Sequence, residues 1–556
     1  MAIPCSIFVF KTLFLASPLR RFSTRKRKER KMAKSKILLP ILLLTVAMPC
    51  CSASRAMPVN LEPPRASYNI LMLLPLSSRS HRNIFLTLAR SLADRGHKVE
   101  LLVNHEPVSE NPSIREVYHG LDHFKEEKFQ LFTTRERPWE VYRLLREGLP
   151  AMTRDLYQVP AVRDLYRRRT TFDVVIIDNY FNQMVYPFAL NLPFISLSAS
   201  GIDHTQSSLL GNVLNPAYVS AIPIEFRQPL GFLQRVLNLA VHVLSGVMRH
   251  HVILPSVQQE VSALFPEVPP LREIERNQSL VLYNSHFSMS HVLPLLPSQV
   301  EIGTMHCHPG SPLPQELSEW VEGAGSAGVV YFSLGTVALG KTMPERWRDL
   351  FLQAFRMLPQ RVVWKYEGDL SGVPDNVLIR KWLPQQDLLA HPNVRVFMTH
   401  GGMLSTQEAT YHATPMLLLP IFADQPRNAH AAHEKELGVM LDWDELSVPL
   451  IVRTVTRLVT DGRYKANVQA VSSALKDQPQ SPLERAVFWT EYVIRHQGAP
   501  RLRSLATDLS WVEYLMLDVL LLFHGLAVFA YFLIRWACGY LCQRVVLQGA
   551  TRRKCD

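Results

Sequence analysis

The chain has 556 residues, of which 47% are hydrophobic and 19% are charged. This length and composition are typical of a globular protein with two domains and accessory segments, and they exclude a disordered chain. The formal net charge is +12, but the excess lies at the ends: residues 1–56 hold twelve Lys and Arg against one Glu, and residues 535–556 hold five against one Asp. The region between them is slightly acidic, so nucleic-acid binding, which needs clustered basic charge, is not expected.

The first apolar segment, residues 37–48, predicts a secretory signal peptide. Two lysines stand between Met32 and this run, and small residues follow it around Ala53, where we expect cleavage. The run is too short to cross a bilayer as an anchor. Residues 1–56 are therefore interpreted as a presequence with its start at Met32.

Short apolar runs then alternate with helical periodicity, which predicts a doubly wound α/β domain at residues 57–292. The predicted elements are a strand at 68–76, a helix at 82–95 and strands at 98–103, 172–177 and 193–198. Residues 226–261 are apolar-rich and amphipathic. Three interpretations of this segment stay open: packing helices, a wall of an acceptor pocket, or a surface that lies against a membrane.

A Pro-rich linker at residues 293–314 separates this domain from a second α/β unit at residues 315–484. The strands predicted in the second unit are 329–333, 362–366, 377–379, 394–399 and 416–419. Two such units in one chain predict a pair of Rossmann-like domains that face each other across a cleft.

The C-terminal apolar segment, residues 511–534, predicts a single transmembrane helix that follows a connecting helix at 485–510. Aromatic residues precede the segment and Arg535 follows it, which is the pattern of an interfacial aromatic belt with a positive cytosolic flank. We therefore expect a lumenal body and a cytosolic tail at residues 535–556.

The last four residues, Arg553-Lys554-Cys-Asp556, resemble the dibasic retrieval signal of endoplasmic-reticulum membrane proteins, and we expect that location. Of seven cysteines, Cys307 alone falls in the predicted lumenal body. Neither an intrachain disulfide nor a Cys-based zinc site is therefore expected in the body. Asn277-Gln-Ser279 is a glycosylation sequon.

The most informative motif is a predicted strand that ends in Thr399-His400-Gly401-Gly402 and runs into a helix. Glycines let the backbone approach a ligand closely, and a helix N-terminus offers N–H groups and a positive dipole end. The motif predicts a diphosphate site with His400 as an additional donor. The GxGxxG spacing of dinucleotide-binding domains is missing, which disfavours an oxidoreductase.

The stretch from Trp382-Leu-Pro-Gln385 through His391-Pro392 to Phe422-Ala-Asp-Gln425 resembles the signature of the family 1 UDP-glycosyltransferases, the animal UDP-glucuronosyltransferases and UDP-glucosyltransferases. Weaker similarity covers residues 68–545, and the chain looks similar to arthropod members. The resemblance implies a GT-B fold. It also implies an enzyme that moves a hexose from a UDP-sugar to hydroxyl groups of small lipophilic acceptors.

The resemblance assigns roles to the donor-site residues. Trp382 stacks on uracil, Gln385 pairs with the uracil edge, and Glu408 accepts hydrogen bonds from the ribose. Asp424 and Gln425 contact the sugar. The residues expected to hold the diphosphate are Ser333, Thr336, His400, Gly402 and Ser405. Because protein donors hold the diphosphate, neither a metal nor a permanently bound cofactor is implied, and the UDP-sugar is a co-substrate.

The identity of the sugar stays open between glucose and glucuronate. Many vertebrate members have Asn-Gly where this chain has Leu404-Ser405, and the arthropod-like pair favours UDP-glucose. A glucuronate carboxylate needs a cationic partner, since an unpaired charge in a closed cleft is strongly penalised. The basic candidates near the donor signature are Lys341, Lys365 and Arg427, and Lys365 is included in the predicted donor site.

The predicted catalytic pair is His81 and Asp178, each at the carboxyl end of a predicted strand. A His that removes a proton becomes charged, and a buried Asp orients and stabilises the imidazolium. The resemblance places the general base and its partner at these positions and implies a single displacement that inverts the anomeric carbon. The alternative is a catalytically silent lumenal binding or scaffold protein with the same fold. A homo-oligomer stays open.

Two further patterns suggest metal sites that we do not expect. Asp442-Trp-Asp444 matches the DxD motif of metal-dependent glycosyltransferases, but its place after the turn at Gly438 favours charge at the start of a helix. His430 and His433 have helical spacing without an evident third ligand, so solvent exposure is expected for both.

Overall fold

The computed structural model describes residues 60–124, 131–136, 139–222, 226 and 228–552. The predicted signal peptide and the Arg553-Lys554 retrieval signal lie outside these residues. Within them, the chain forms two α/β domains, each built on one parallel sheet, followed by a long C-terminal helix. The predicted α/β class is therefore confirmed for both halves of the chain.

The first sheet has seven strands, which are β1 (Asn69–Leu74), β2 (Lys98–Val103), β3 (Ile114–Tyr118), β4 (Val174–Asp178), β5 (Phe194–Ser198), β6 (Leu280–Tyr283) and β7 (Gln299–Glu301). They are parallel and lie in the order β3-β2-β1-β4-β5-β6-β7. The strand order changes direction between β1 and β4, and such a switch point is where an open sheet binds ligands.

The second sheet has six strands, which are β8 (Val329–Ser333), β9 (Arg361–Lys365), β10 (Val377–Arg380), β11 (Val394–Thr399), β12 (Met416–Leu418) and β13 (Gly438–Met440). They are parallel in the order β10-β9-β8-β11-β12-β13, with the equivalent switch point between β8 and β11. The two sheets therefore repeat one topology, and each presents one binding edge.

Helices cover the faces of both sheets. In the first half they are α1 (Arg79–Asp94), α2 (Leu131–Glu136), α3 (Trp139–Leu156), α4 (Pro160–Arg167), α5 (His204–Leu209), α6 (Phe232–Met248), α7 (Leu254–Leu264) and α8 (Leu271–Arg276). In the second half they are α9 (Gln315–Glu322), α10 (Glu345–Met357), α11 (Gln385–Ala390), α12 (Met403–Tyr411), α13 (Gln425–Glu434), α14 (Val448–Thr460), α15 (Gly462–Lys476), α16 (Pro482–Arg495), α17 (Trp511–Tyr514) and α18 (Leu517–Arg552).

The central strands form because their residues are continuously apolar. In β1 every residue from Ile70 to Leu74 is buried, as expected for a parallel strand covered by helices on both faces. Helix α1 is capped at its N-terminus by Ser78, whose side chain accepts a hydrogen bond from the backbone N–H of His81. It places Ile84 and Leu88 in the core. The N-terminal turn of α1 is thereby fixed at the carboxyl end of β1.

Helix α16 returns from the second half and packs against α1 of the first domain. Its Glu491 accepts hydrogen bonds from Arg95 Nε at 2.5 Å and from His97 Nε2 at 3.1 Å. Burial alone would raise the pKa of Glu491, but these two donors lower it to about 2. The segment after residue 482 therefore belongs physically to the surface of the first domain and ties the two halves together.

Among the residues that the structure describes, two helical stretches are long and apolar enough to cross a membrane, Phe232–Leu264 and Leu517–Val545. The second stretch contains most of the predicted span, 511–534. The helix is interrupted just before Leu517, inside the predicted span. Residues Trp511–Tyr514 form a separate turn with a Ser510 capping box, and Met516 has a left-handed φ of 51°. The apolar helix consequently begins at Leu517 rather than at residue 511, and it continues past residue 534.

Candidate active site

A cavity of about 1030 Å³ lies between the carboxyl ends of the two sheets. Its wall comes from the segments that follow β1 and β4 in the first domain and β8 and β11 in the second. Ligand pockets usually have roughly 300–1,000 Å³, so this cavity lies at the large end of the range. Every predicted site residue lies on its wall except Asp178, which is buried behind His81.

The predicted catalytic pair is assembled from α1 and the end of β4. His81 Nδ1 lies 2.8 Å from Asp178 Oδ2, and the carboxylate is fully buried. The second oxygen, Oδ1, accepts a hydrogen bond from the backbone N–H of Tyr180 at 3.2 Å. With Nδ1 donating to Asp178, Nε2 carries the lone pair, which is the atom that a general base needs.

Tyr180 is a cavity residue that the sequence analysis did not identify. Its ring meets the His81 ring edge-on, with centroids 5.7 Å apart. Burial, together with the charges of Asp424 and Asp178, raises the pKa of Tyr180 above its ordinary value, so the phenol keeps its proton. The sequence could have indicated Tyr180, because it stands two residues after Asp178 and a residue just past a central strand lies at the ligand-binding edge of the sheet.

The glycines of the diphosphate motif make room for His400. A Cβ added at Gly402 would lie 2.5 Å from His400 Nε2, and one added at Gly335 would lie 2.6 Å from its Cε1. The ring is therefore held between two glycines that no larger residue can replace without displacing it. Burial, with a smaller contribution from the charge of Lys365, lowers the pKa of His400 to about 4, so the imidazole is neutral.

The hydroxyl groups after β8 point toward the same place. Thr336 Oγ1 is buried and has no hydrogen-bond partner within the described part of the chain. Ser333 Oγ accepts from the backbone N–H of Gly335 at 3.3 Å and retains its own hydroxyl proton. Because a buried orphan hydroxyl is costly, Thr336 is suited to a ligand that supplies the missing partner. Gly402 caps α12, whose first N–H groups face the same region.

Trp382 lies on the second-domain wall of the cavity, with 57% of its surface exposed. This exposure excludes core packing as its role and leaves a ring face available for stacking. Lys365 Nζ lies 5.6 Å from the centre of the indole. The same ammonium donates to the carbonyl of Gly335 at 2.9 Å and is paired with Glu367.

Gln385, Ser405 and Glu408 form one hydrogen-bonded network. Gln385 Nε2 donates to Ser405 Oγ at 3.0 Å and to the Glu408 carboxylate, while its Oε1 accepts from the hydroxyl of Tyr331 at 3.0 Å. Burial raises the pKa of Glu408 to about 7, against the opposing effect of the Gln385 donor. The amide of Gln385 is thus engaged with protein partners here, and its contact with uracil stays a prediction.

Asp424 and Gln425 lie on the part of the cavity wall that is next to the first domain. Asp424 Oδ2 accepts from Asn428 Nδ2 at 2.7 Å. Gln425 Oε1 accepts from the backbone N–H groups of residues 421 and 422, so its amide nitrogen is the donor that remains for a ligand. Ala423, just before this pair, has a left-handed φ of 60°, a strained conformation of the kind that clusters at ligand sites.

The part of the cavity beyond His81 is largely apolar. Helix α3 contributes Leu145, Leu149 and Met152 to its wall, together with the charged pair Arg143 and Glu147. Phe181 and Phe422 lie on the same wall. These residues were not identified from the sequence, because an apolar helix face has the same pattern whether it packs in a core or lines a pocket. Such a surface suits a lipophilic molecule whose hydroxyl reaches His81.

Several candidates lie away from the cavity. Arg427 donates to the carbonyl groups of Ser200 and Ile202 in the first domain, both at 2.6 Å, so the proposed contact with a sugar carboxylate is not formed. Lys341 is exposed in a short 3₁₀ turn and is not on the cavity wall.

The acidic DxD-like motif also lies away from the cavity and has a structural explanation. Arg135 Nη2 lies 3.0 Å from Asp442 Oδ1 and 2.7 Å from Asp444 Oδ2, which ties α2 to the second domain. Asp442 also caps a short 3₁₀ helix, as the sequence analysis expected. His433 is exposed, as expected. His430 is half-buried, whereas solvent exposure was expected for it too. Among the described residues no cluster of three or more His, Cys, Asp or Glu could hold a metal ion.

Comparisons with known proteins agree with this architecture. A family model described as "UDP-glucoronosyl and UDP-glucosyl transferase" matches residues 69–552. UDP-glycosyltransferase UGT5 of Dactylopius coccus is 32% identical over 498 residues, which cover 86% of this chain and 93% of that protein. UDP-glucuronosyltransferase 2B7 of Homo sapiens is 36% identical over 361 residues, which cover 64% of this chain and 67% of that protein.

Solved structures show the same fold. A UDP-glucosyltransferase from Polygonum tinctorium superposes with a TM-score of 0.54 at 16% identity, covering 77% of this chain and 99% of that one. The glycotransferase of kitacinnamycin gives a TM-score of 0.51 at 19% identity, covering 78% and 99%. Two facing Rossmann-like domains with the cavity between them are the GT-B fold that was predicted.

The chain belongs to the UDP-glucuronosyl and UDP-glucosyl transferase family, as its motifs predicted. It is accordingly a UDP-sugar-dependent glycosyltransferase. Nothing in these similarities supports the alternative of a silent binding or scaffold protein.

Proposed function

We propose that this enzyme transfers glucose from UDP-glucose to hydroxyl groups of small lipophilic acceptors, with inversion at the anomeric carbon. The observation that carries the proposal is the placement of His81–Asp178 and the His400 motif on opposite walls of one cavity. An acceptor on the apolar side and a donor on the other side then approach the anomeric carbon from opposite faces.

The proposed chemistry is a single displacement. His81 Nε2 takes the proton of the acceptor hydroxyl as its oxygen attacks the anomeric carbon, and the bond from that carbon to the UDP oxygen breaks. Asp178, held by the N–H of Tyr180, stabilises the imidazolium that forms. The α-linked donor becomes a β-glycoside, and UDP leaves with the bonding electron pair.

The departing diphosphate is received by the second domain. We assign this role to the hydroxyls of Ser333 and Thr336, the N–H groups at the start of α12 and the neutral ring of His400. Preformed donors that meet charge as it develops lower the barrier without reorganisation. The orphan hydroxyl of Thr336 supports this assignment, since a phosphate oxygen supplies the partner that it lacks.

The choice of glucose over glucuronate is supported by the charges on the wall. Lys365 lies beside Trp382 at the nucleotide end and is paired with Glu367, and Arg427 is engaged with backbone carbonyls. Arg143 of α3, which also lies on the wall, is paired with Glu147. The carboxylate of Asp424 is expected to repel a second carboxylate and to accept hydrogen bonds from sugar hydroxyls.

We further propose an endoplasmic-reticulum location with the body in the lumen and α18 as the membrane span. The support is the long, fully exposed apolar helix Leu517–Val545 and the signal-peptide pattern of the presequence. The domain boundaries at residues 57–292, 293–314 and 315–484 belong to the same proposal.

Side-by-side initial rates with UDP-glucose and UDP-glucuronate, using one phenolic acceptor, test the proposed donor. We expect faster UDP release with UDP-glucose and a β-linked product by NMR. A preference for UDP-glucuronate would contradict the choice of sugar, and an α-linked product would contradict the single displacement.

A further inference from the structure

Helix α6 has its amphipathic character reversed. Its apolar side chains face outward: Phe232 is 71% exposed and Leu233 77%, and Leu237 and Leu244 are at least half exposed. A surface helix of a soluble protein normally buries the apolar face and presents the polar one to water. The exposed face is therefore unexplained by the packing of this chain.

The polar residues of α6 hold it in this orientation. Asn238 is fully buried, and its amide nitrogen donates to the carbonyls of Pro216 and Val219 at 2.6 and 2.8 Å. Its amide oxygen accepts from the N–H of Ala221 at 2.9 Å, and His242 Nε2 donates to the carbonyl of Val219 at 2.9 Å. A rotation of α6 that buried its leucines would leave these groups unpaired, which is costly.

The same stretch does not continue as a membrane-crossing helix. Although Phe232–Leu264 is long enough to span, its second part is integrated into the protein core. Leu254, Val257 and Val261 are buried, and the guanidinium of Arg249 is ion-paired with buried Glu275. A helix whose first part is exposed and whose second part is anchored in the body lies on a surface rather than crossing it.

The structure also places α6 on the side of the body from which the C-terminal helix departs. The ring of His242 in α6 lies 4.2 Å from that of His204, the first residue of α5. Just beyond α5, a Cβ added at Gly211 would lie 2.9 Å from Ala506 Cβ. Helix α5 is only six residues long, about 9 Å, so α6 is close to the segment that leads into α18.

We propose that the exposed face of α6 docks into the lumenal leaflet of the bilayer that α18 crosses. This rests on the proposed membrane anchor. The face suits lipid because α6 has no acidic residue and most of its exposed side chains are leucine, valine and phenylalanine. The exposed charged residue of α6 is the cationic Arg235, which suits a headgroup layer, and the anchor holds the helix next to the bilayer. The body then has two attachments, which fix the orientation of the cleft relative to the membrane.

The test uses the full-length protein in nanodiscs that hold one protomer each. Leu237→Cys is labelled with the fluorophore NBD in a background where the exposed cysteines, Cys538 and Cys542, and the tail residue Cys555 are serine. Lipids with a nitroxide at a shallow or a deep acyl position serve as quenchers. Matched labels at Leu522→Cys in α18 and at exposed Met357→Cys in α10 provide the positive and negative controls.

We expect at least about a two-fold loss of emission at position 237, greater with the shallow quencher, because an interfacial helix lies about 5–10 Å into the leaflet. Position 522 should respond most to the deep quencher and position 357 to neither. An unquenched label at 237 beside a quenched one at 522 overturns the docking of α6 and leaves the anchor intact. A blue-shifted but unquenched label at 237 means that the label is covered by the protein itself and not by lipid, which also overturns the docking. Unquenched labels at both positions overturn docking and anchor together.

Discussion

The two domains share one topology but differ in how their halves of the cavity are built. In the second domain the wall is a network of polar groups: Gln385 connects Ser405, Glu408 and Tyr331, and two glycines enclose His400. In the first domain the catalytic pair is set beside a largely apolar wall from α3, which also carries the charged pair Arg143 and Glu147. A nucleotide needs many fixed polar partners, whereas a lipophilic acceptor needs volume and one base.

This contrast predicts that substitutions in the first domain change turnover and that substitutions in the second change donor binding. Asp178→Asn is expected to have the largest effect. The amide cannot stabilise the imidazolium and favours the wrong tautomer of His81, so turnover should fall by about 10²–10⁴-fold. Calorimetry should show unchanged UDP affinity. A weakened UDP affinity in this variant would contradict the assignment of donor binding to the second domain alone.

Trp382→Ala should weaken donor binding next most strongly. Stacking of a base on an aromatic ring is worth roughly 1–3 kcal/mol, so the Kd for UDP should rise roughly 5- to 150-fold. The side chain is more than half exposed, and the free energy of unfolding should therefore change by less than about 0.5 kcal/mol. Trp382→Phe should retain most of the affinity, and an unchanged Kd in the alanine variant would remove Trp382 from the site.

Gly402→Ala tests the enclosure of His400. The new Cβ meets His400 Nε2 at 2.5 Å, so the ring must shift, at a cost of about 1–3 kcal/mol. If this cost falls on the donor complex, the Kd for UDP-glucose should rise roughly 5- to 150-fold. Gly462→Ala, where no atom lies within 4 Å of the added Cβ, is the matched control and should bind normally. Equal binding by the two variants would show that the position of His400 does not matter.

The pH dependence of donor binding gives the smallest effect. The pKa of Glu408 is about 7, and a ribose hydroxyl needs the ionised carboxylate as its acceptor. Glu408 loses its proton as the pH rises through 7, so affinity for UDP-glucose should be highest above pH 7 and fall by up to about ten-fold per pH unit below it. UDP-glucose has no phosphate that titrates near neutrality. Glu408→Gln should flatten the profile, and a flat profile in the unsubstituted enzyme would contradict the ribose contact.

The same contrast explains which features could be predicted from the sequence. The strands at Lys98–Val103, Val329–Ser333 and Val394–Thr399 are rich in buried apolar residues and have the predicted bounds. Strands β3, β6, β7 and β13 were not predicted, because each has only three to five residues and so short a run gives little periodicity.

Within the site, residues of a polar motif were predicted and residues of an apolar wall were not. His400 and Gly402 stand in a strand–glycine–helix pattern that only a ligand site requires, whereas Leu149 and Met152 look like any core helix. The bonds of Arg427 to the opposite domain were also hidden, since they depend on how two distant segments meet. The sequence did not decide whether the apolar face of α6 is buried or exposed, because periodicity does not tell which side of a helix is covered.

The central claim is that the first domain supplies the base and the second holds the donor. The most direct measurement combines calorimetric UDP binding and single-turnover glucosyl transfer in His81→Ala. The account predicts an unchanged Kd for UDP and a transfer rate lower by about 10²–10⁴-fold, the usual consequence of losing a general base. Transfer at the unsubstituted rate, or a loss of UDP affinity that matches the loss of rate, would contradict it.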